Sequence, residues 1–203
     1  LIAAIAIAVC ACEKDGNVEA YVPDEGEIQL DMIYPGAQTR VTDNSFDVDD
    51  QIGVYVTASD ADLQLAGNEV NNELFTYNGT SWTSARKVYW NKGTHNVYAY
   101  YPYSSSVNDV VDYSFRVQTD QSTPDAYSES DFLWAAAEGV AASSDPVPMQ
   151  FEHKMSKVVV KLVKGEEFEG DIPADAEVYI MSTVPQARSE EHTSELQSLE
   201  RIS

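Results

Sequence analysis

Cysteine carries the most reactive side chain in this sequence, and it occurs twice, two positions apart, in "IAIAVCACEKDG" (residues 5–16). A Cys10–Cys12 disulfide would close a very small, strained ring. A zinc site needs further Cys or His at defined spacings, and the three histidines are distant and isolated. Asp47, Asp49 and Asp50 in "DVDDQ" offer oxygen ligands at a spacing that could begin a calcium loop. No glycine follows at the turn and no glutamate closes the loop, so the stretch reads as an acidic turn leading into a strand. His95 reads as an exposed turn residue and His153 as a packing residue in a strand; neither has a nucleophile motif nearby. The 34 acids allow carboxylate pairs, but nothing singles one out, and there is no glycine-rich phosphate loop. No catalytic, cofactor-binding or metal-ligating residue is therefore expected, and the chain is read as a non-enzyme. The remaining enrichment is aromatic: Trp82, Trp90, Tyr98, Tyr100, Tyr101, Tyr103 and Trp134 could stack on sugars. In alternating strands, half of such rings instead face the core, where each contributes about 1.5–3 kcal/mol by burial.

The elements that must position these residues are short and alternating. "EIQLDMIY" places Ile28, Leu30 and Met32 on one face, and "QIGVYVTA" does the same with Ile52, Val54 and Val56. "ELFTYNGTSWTS" reads as a hairpin turning at Asn78-Gly79, and "KVYWNKGTHNVYAYYPY" as a second one turning at Asn91 to Thr94. "VDYSFRVQT" alternates Val111, Tyr113, Phe115 and Val117 with polar partners. "DFLWA", "PMQFEHKM" and "AEVYIMST" read as further strands. "SKVVVKLVK" is expected to be a central strand, with Val158, Val160 and Leu162 facing in and Lys157, Lys161 and Lys164 outward. Helical periodicity does not persist anywhere, and no internal repeat is present. The expected fold class is all-β, a sandwich of about seven to nine short strands. The formal charge of −22 argues against nucleic acid, whose binders need Lys and Arg to displace counterions, and against anionic lipid surfaces.

The two ends read differently from the middle. Leu1 to Val9 are all Leu, Ile, Ala or Val, too short to span a bilayer but suited to the apolar region of a secretory signal. With Val9, Cys10 and Ala11 before it, Cys12 resembles the acylated cysteine of a bacterial lipoprotein box. The resemblance implies a signal-peptide remnant at residues 1–11, a gene model that begins inside the signal, and a lipidated polar tether at 12–26. Several acyl chains anchor durably, where one chain is marginal. The acidic "EKDG" after Cys12 resembles signals that send lipoproteins to the outer face of the outer membrane. At the other end, "RSEEHTSELQS" resembles the in-frame translation of a sequencing adapter, so residues 188–203 are expected to be an assembly artefact. Without their four Glu and two Arg the charge goes from −22 to −20, so the acidity belongs to the domain.

Four segments, spanning about residues 39–165, together resemble the fimbrillin family of type V pilus subunits. They are "TRVTDNSFDVDDQIGVYV", "HNVYAYYPYSSSV", "DFLWA" and "MQFEHKMSKVVVKLVKG". The matching positions include Phe46, Ile52 to Tyr55, Tyr101 to Tyr103, Asp131, Leu133, Ala135, Phe151, His153, Ser156 and Lys157, while Asp50 stands where many members have glycine. The resemblance implies an outer-membrane lipoprotein whose residues 27–187 form an N-terminal Greek-key, transthyretin-like β-sandwich, with a second domain beyond. It implies a structural role in pilus assembly and adhesion, with other subunits joined by β-strand addition. Contact with a host or bacterial surface ligand is also implied. Glu27 to Tyr34 is then the plug strand, carried by Ile28, Leu30 and Met32, and Arg40 is the cut site that exposes Val41. The alternative reading is a surface glycan-binding lipoprotein that uses the aromatic platform.

Overall fold

The computed structural model describes residues 26–35, 45–107, 110–174, 176 and 186–188; Cys12, Arg40 and Val41 lie outside them. Apart from one short helix, its regular elements are all strands. In chain order the elements are β1 (Leu30–Ile33), β2 (Gln51–Ala58), β3 (Val70–Tyr77), β4 (Trp82–Ser84), β5 (Thr94–Tyr101), β6 (Ser114–Arg116), α1 (Pro124–Ser128), β7 (Leu133–Ala141), β8 (Val147–Gln150), β9 (Glu152–His153) and β10 (Gln186–Arg188). Six of them form one antiparallel sheet in the order β4-β3-β2-β5-β7-β9, while β1 pairs in parallel with β8 and β10 pairs with β6.

β2 lies near the middle of the large sheet, and its sequence accounts for that position. Ile52, Val54 and Val56 face one layer and Tyr55 and Thr57 the other, and all five are at most 1% exposed. Gly53 is required there: a Cβ would run into the Tyr100 ring and the Asn72 side-chain oxygen. The Tyr100 hydroxyl donates to Asn72 Oδ1 at 2.8 Å, and Asn72 Nδ2 donates to the Ser104 carbonyl at 2.9 Å. Asn72 holds φ +46°, a left-handed conformation that asparagine tolerates, and sits where β3 carries an extra residue opposite β2.

Two apolar clusters lie on opposite faces of the large sheet. One is closed by β1 and β8, through Ile28, Leu30, Met32, Val147 and Met149. The other is closed by residues 110–117, through Val110 and Phe115, packed on Tyr55, Tyr100 and Phe132. β8 and β9 belong to one extended stretch that changes sheets, pairing first with β1 and then with β7. The result is an all-β sandwich, as the alternation predicts. The β3–β4 hairpin also turns where expected, with Gly79 at φ +92° and Asn78 Oδ1 accepting from the N–H groups of Thr80 and Ser81.

Three expectations are corrected. Residues 87–101 are not a hairpin: both edges of β5 are taken by β2 and β7. Residues 88–90 cross to the other layer, where Ile28 N–H donates to the Val88 carbonyl and Trp90 N–H to the Gly26 carbonyl. His95 is not exposed; it is 0% accessible, because its parity with Val97 and Ala99 on β5 points it into the core. Its Nε2–H donates to the Asn91 carbonyl at 3.0 Å, and its ring lies 5.0 Å from that of Trp90. Its Nδ1 stands 2.9 Å from Glu69 Oε2, off the line a hydrogen bond needs. Finally, residues 156–164 form no strand, and Val158 (67%), Val160 (50%) and Leu162 (47%) are exposed. No neighbour among the described residues receives them, and β-propensity without a partner does not make a strand.

Thr57 gives a direct test of this packing. Its Oγ1 is buried without a hydrogen-bond partner. Thr57→Val keeps the shape and β-branching while removing an unsatisfied polar atom, so it is expected to stabilise by about 1 kcal/mol. The urea midpoint should rise with an unchanged slope.

Candidate functional site

The feature that sets this sandwich apart is the way β1 is held. In the parallel β1–β8 pair, the odd residues of β1 bond to β8; Gln29 and Ile33 carbonyls flank that ladder, accepting from Val147 N–H at 2.9 Å and Phe151 N–H at 3.0 Å. Along a strand, successive residues turn their N–H and C=O groups to opposite sides. The groups of Gly26 and Ile28 therefore meet residues 88–90, and those of Leu30 and Met32 point onward into open space. Across that space runs β4, the outermost strand of the large sheet.

The space between is a groove of about 880 Å³. Its apolar lining includes Leu30, Met32, Phe46, Phe75 and Trp82, and its rim includes Glu27, Asp31 and Lys87. Phe46 organises the floor, meeting Tyr34, Trp82 and Phe151 edge to face at 5.0, 4.9 and 5.4 Å. On the rim Lys87 Nζ donates to Glu27 Oε2 at 2.8 Å, and that bond raises the lysine pKa above its ordinary value. The site is thus a groove over a largely buried apolar floor, between β1 and the outermost strand β4, which approach each other closely.

In the turn before β2, outside the groove lining, Asp50 accepts from Asp47 N–H at 2.7 Å and from the Tyr101 hydroxyl at 3.2 Å. Burial raises the pKa of both side chains. An acid whose folded pKa lies above its unfolded value favours folding fully only when protonated, below the unfolded pKa of 3.8, and that contribution is lost as pH rises through the folded value. Asp50→Asn carries no such loss. The difference in melting temperature, variant minus parent, is therefore expected to be more positive at about pH 7 than at about pH 4, read by parallel thermal scans.

The structure places the sequence-marked residues as follows. Ile28, Leu30 and Met32 all lie in the core beneath the groove, 4%, 7% and 9% exposed. The aromatic set is dispersed: Trp90 and Tyr100 are 1% exposed, Trp82 and Tyr101 are also buried, and Tyr98 and Trp134 pack tilted against each other at 6.0 Å. They form no common exposed platform. His153 pairs with Asp131 at 2.9 Å and packs edge-on near Tyr34. The three aspartates form the turn before β2, and among the described residues no group of three or more His, Cys, Asp or Glu could hold a metal ion. The sequence reading expected a groove filled by Glu27 to Tyr34; the groove in the structure lies beside β1, between it and β4, and the alternation of residues 28–32 was its only local sign.

The fold and site thus define an all-β sandwich whose short first strand seals the core beside a groove. Sequence comparison makes the assignment specific. The profile of the fimbrillin-like family matches residues 39–199, and the chain belongs to that family. The match runs through the stretch that resembles an adapter translation. A Bacteroides ovatus protein assigned as fimbrium tip subunit Fim1C is 31% identical over a 170-residue alignment that covers 74% of this chain and 30% of that protein. The chain therefore spans less than a third of that relative's length. Among solved structures, a B. ovatus protein assigned to cell adhesion is 26% identical with a TM-score of 0.48, covering 64% of this chain and 52% of that one. A B. ovatus fimbrial protein is 26% identical with a TM-score of 0.44, covering 64% of this chain and 29% of its own.

Proposed function

We propose that this chain is the N-terminal part of a structural fimbrial subunit, tethered to the outer membrane through acylated Cys12 and joined to other subunits by strand exchange. Its partners are other pilus subunits, with a surface ligand for adhesion, and it carries out no catalysis. One observation carries the reading: β1 closes the core from outside the six-stranded sheet. It pairs in a ladder with β8 alone, inserts Leu30 and Met32 between the layers, and connects to Phe46 through the segment that contains Arg40. Cleavage between Arg40 and Val41 would detach β1 from the rest of the chain, and another subunit's strand would then take its place. The similarity to a fimbrium tip subunit supports the assembly role.

The test uses the full-length gene product, treated with an Arg-specific protease and viewed by electron microscopy. Filaments are expected only after a cut at Arg40. A cut there that leaves the subunits dispersed would refute strand exchange through β1. For the anchor, palmitate label should be lost in Cys12→Ser and kept in Cys10→Ser.

A further inference from the structure

The aromatic residues marked in the sequence form no common platform, but two of them meet where the large sheet is left uncovered. Asn96 and Tyr98 of β5 and Trp134, Ala136 and Glu138 of β7 share the face opposite Val97, Ala99 and Ala135, which are buried in the larger core cluster. Residues 110–117 and Phe132 cover one end of that face, over Tyr55 and Tyr100. Tyr98 and Trp134 lie at the border of this cover and are half-buried. Beyond them Ala136 and Glu138 are exposed.

The groups gathered there fit a sugar. Tyr98 and Trp134 are diagonal neighbours across the β5–β7 pair, with ring centroids 6.0 Å apart and planes 36° from parallel. Tyr98 stands opposite Ala136, whose methyl group is too small to cover the ring. Burial first, then the nearby Glu138 carboxylate, raises the Tyr98 pKa; a hydrogen bond with the Asn96 side chain opposes the rise, and Asp62 adds to it. Asn96 is itself held in place, its Oδ1 accepting from Gly139 N–H at 3.0 Å. Two aromatic rings, a phenol hydroxyl, an amide and carboxylates are the apolar faces and hydrogen-bonding groups that a sugar's C–H face and hydroxyls require. The formal charge of −22 repels acidic glycans, nucleic acid and anionic lipid alike. A partner's Lys or Arg would also meet the carboxylates, but it needs only one ring and no amide.

We propose that Tyr98 and Trp134, with Asn96 and Glu138, bind an uncharged glycan on the outer face of the large sheet. The proposal rests on the adhesion part of the reading above and names the class of its ligand; it asks nothing of β1. Two rings on an open face hold a single glycan weakly, with a dissociation constant on the order of 1 mM. Many copies presented on one surface add avidity. Stacking and hydrogen bonds to a neutral ligand are insensitive to salt, whereas attraction to a cation is screened.

The experiment titrates the full chain with linear hexasaccharides of glucose, mannose, galactose and xylose, read by saturation-transfer nuclear magnetic resonance at low and high ionic strength. Binding of at least one of these sugars, equal at both salt concentrations, is expected. Ala136→Lys puts a long side chain over the rings from an exposed position and should weaken binding about tenfold or more. Trp134→Ala should do the same. Trp134→Phe, which keeps a stacking face, should retain most of the binding, and circular dichroism melts check that each variant is folded. Failure of all the sugars to bind overturns the proposal, as does binding that survives Ala136→Lys. Capture of a Lys- and Arg-rich peptide in place of the sugars, lost as salt is added, overturns it too and marks the patch as a contact for a basic protein. None of these results bears on filaments formed after a cut at Arg40, so the assembly reading stands or falls separately.

Discussion

Leu30→Asp combined with Met32→Asp is expected to abolish the native fold of the intact chain. The two side chains are 7% and 9% exposed and lie in register with Val147 and Met149 in the layer that closes the larger core cluster. Each substitution removes an apolar side chain worth about 1.5–3 kcal/mol by burial and leaves a carboxylate that must be desolvated or protonated. The sum reaches the 5–15 kcal/mol that typically separates folded from unfolded states. β8 has β1 as its only partner in that sheet, so its ladder is lost with β1. The control is the other face of the same strand. Ile33→Asp, at a position 41% exposed, should stay within about 0.5 kcal/mol of the parent. Urea melts followed by circular dichroism compare the three proteins. A cooperative, parent-like transition in the double variant would mean that β1 is not part of the core.

The same strand shows what a sequence can and cannot convey. The alternation of Ile28, Leu30 and Met32 states which side chains are buried, because a half-buried strand has a period of two. It does not state which neighbour it pairs with. The parallel β1–β8 ladder joins positions more than a hundred residues apart, and the groove exists only because of that pairing. β2 was legible as a strand because the alternation of Ile52, Val54 and Val56 is local, but the burial of Tyr55 and Thr57 on its other face depends on a second layer that the alternation does not state. Residues 87–101 look like a hairpin because Asn91 to Thr94 is good turn chemistry, yet two other strands had already claimed β5. Residues 157–164 are the clearest case, since β-branching predicts a strand and no described strand pairs with them. His95 was recoverable in principle: counting in twos from Val97 and Ala99 puts it on the buried face.

Trp90→Ala tests how β1 is coupled to the crossing segment. Trp90 is 1% exposed, its Nε1–H donates to the Ser143 carbonyl at 2.9 Å, and its ring packs on His95. Its backbone N–H also binds the Gly26 carbonyl at 3.1 Å, beside the bond from Ile28 to Val88. Truncation empties the largest side-chain volume among the fully buried residues and leaves the Ser143 carbonyl without that donor. The expected cost is about 3–5 kcal/mol, set by the cavity more than by the hydrogen bond. Trp90→Phe separates the two terms: it keeps most of the burial and loses the donor, so a cost of about 1–2 kcal/mol is expected. If residues 88–90 hold the entry to β1, the alanine variant should also lose amide-exchange protection at Ile28 before the rest of the sheet opens. Equal loss of protection across β1, β2 and β5 would show instead that the sandwich opens as one unit and that β1 is not separable.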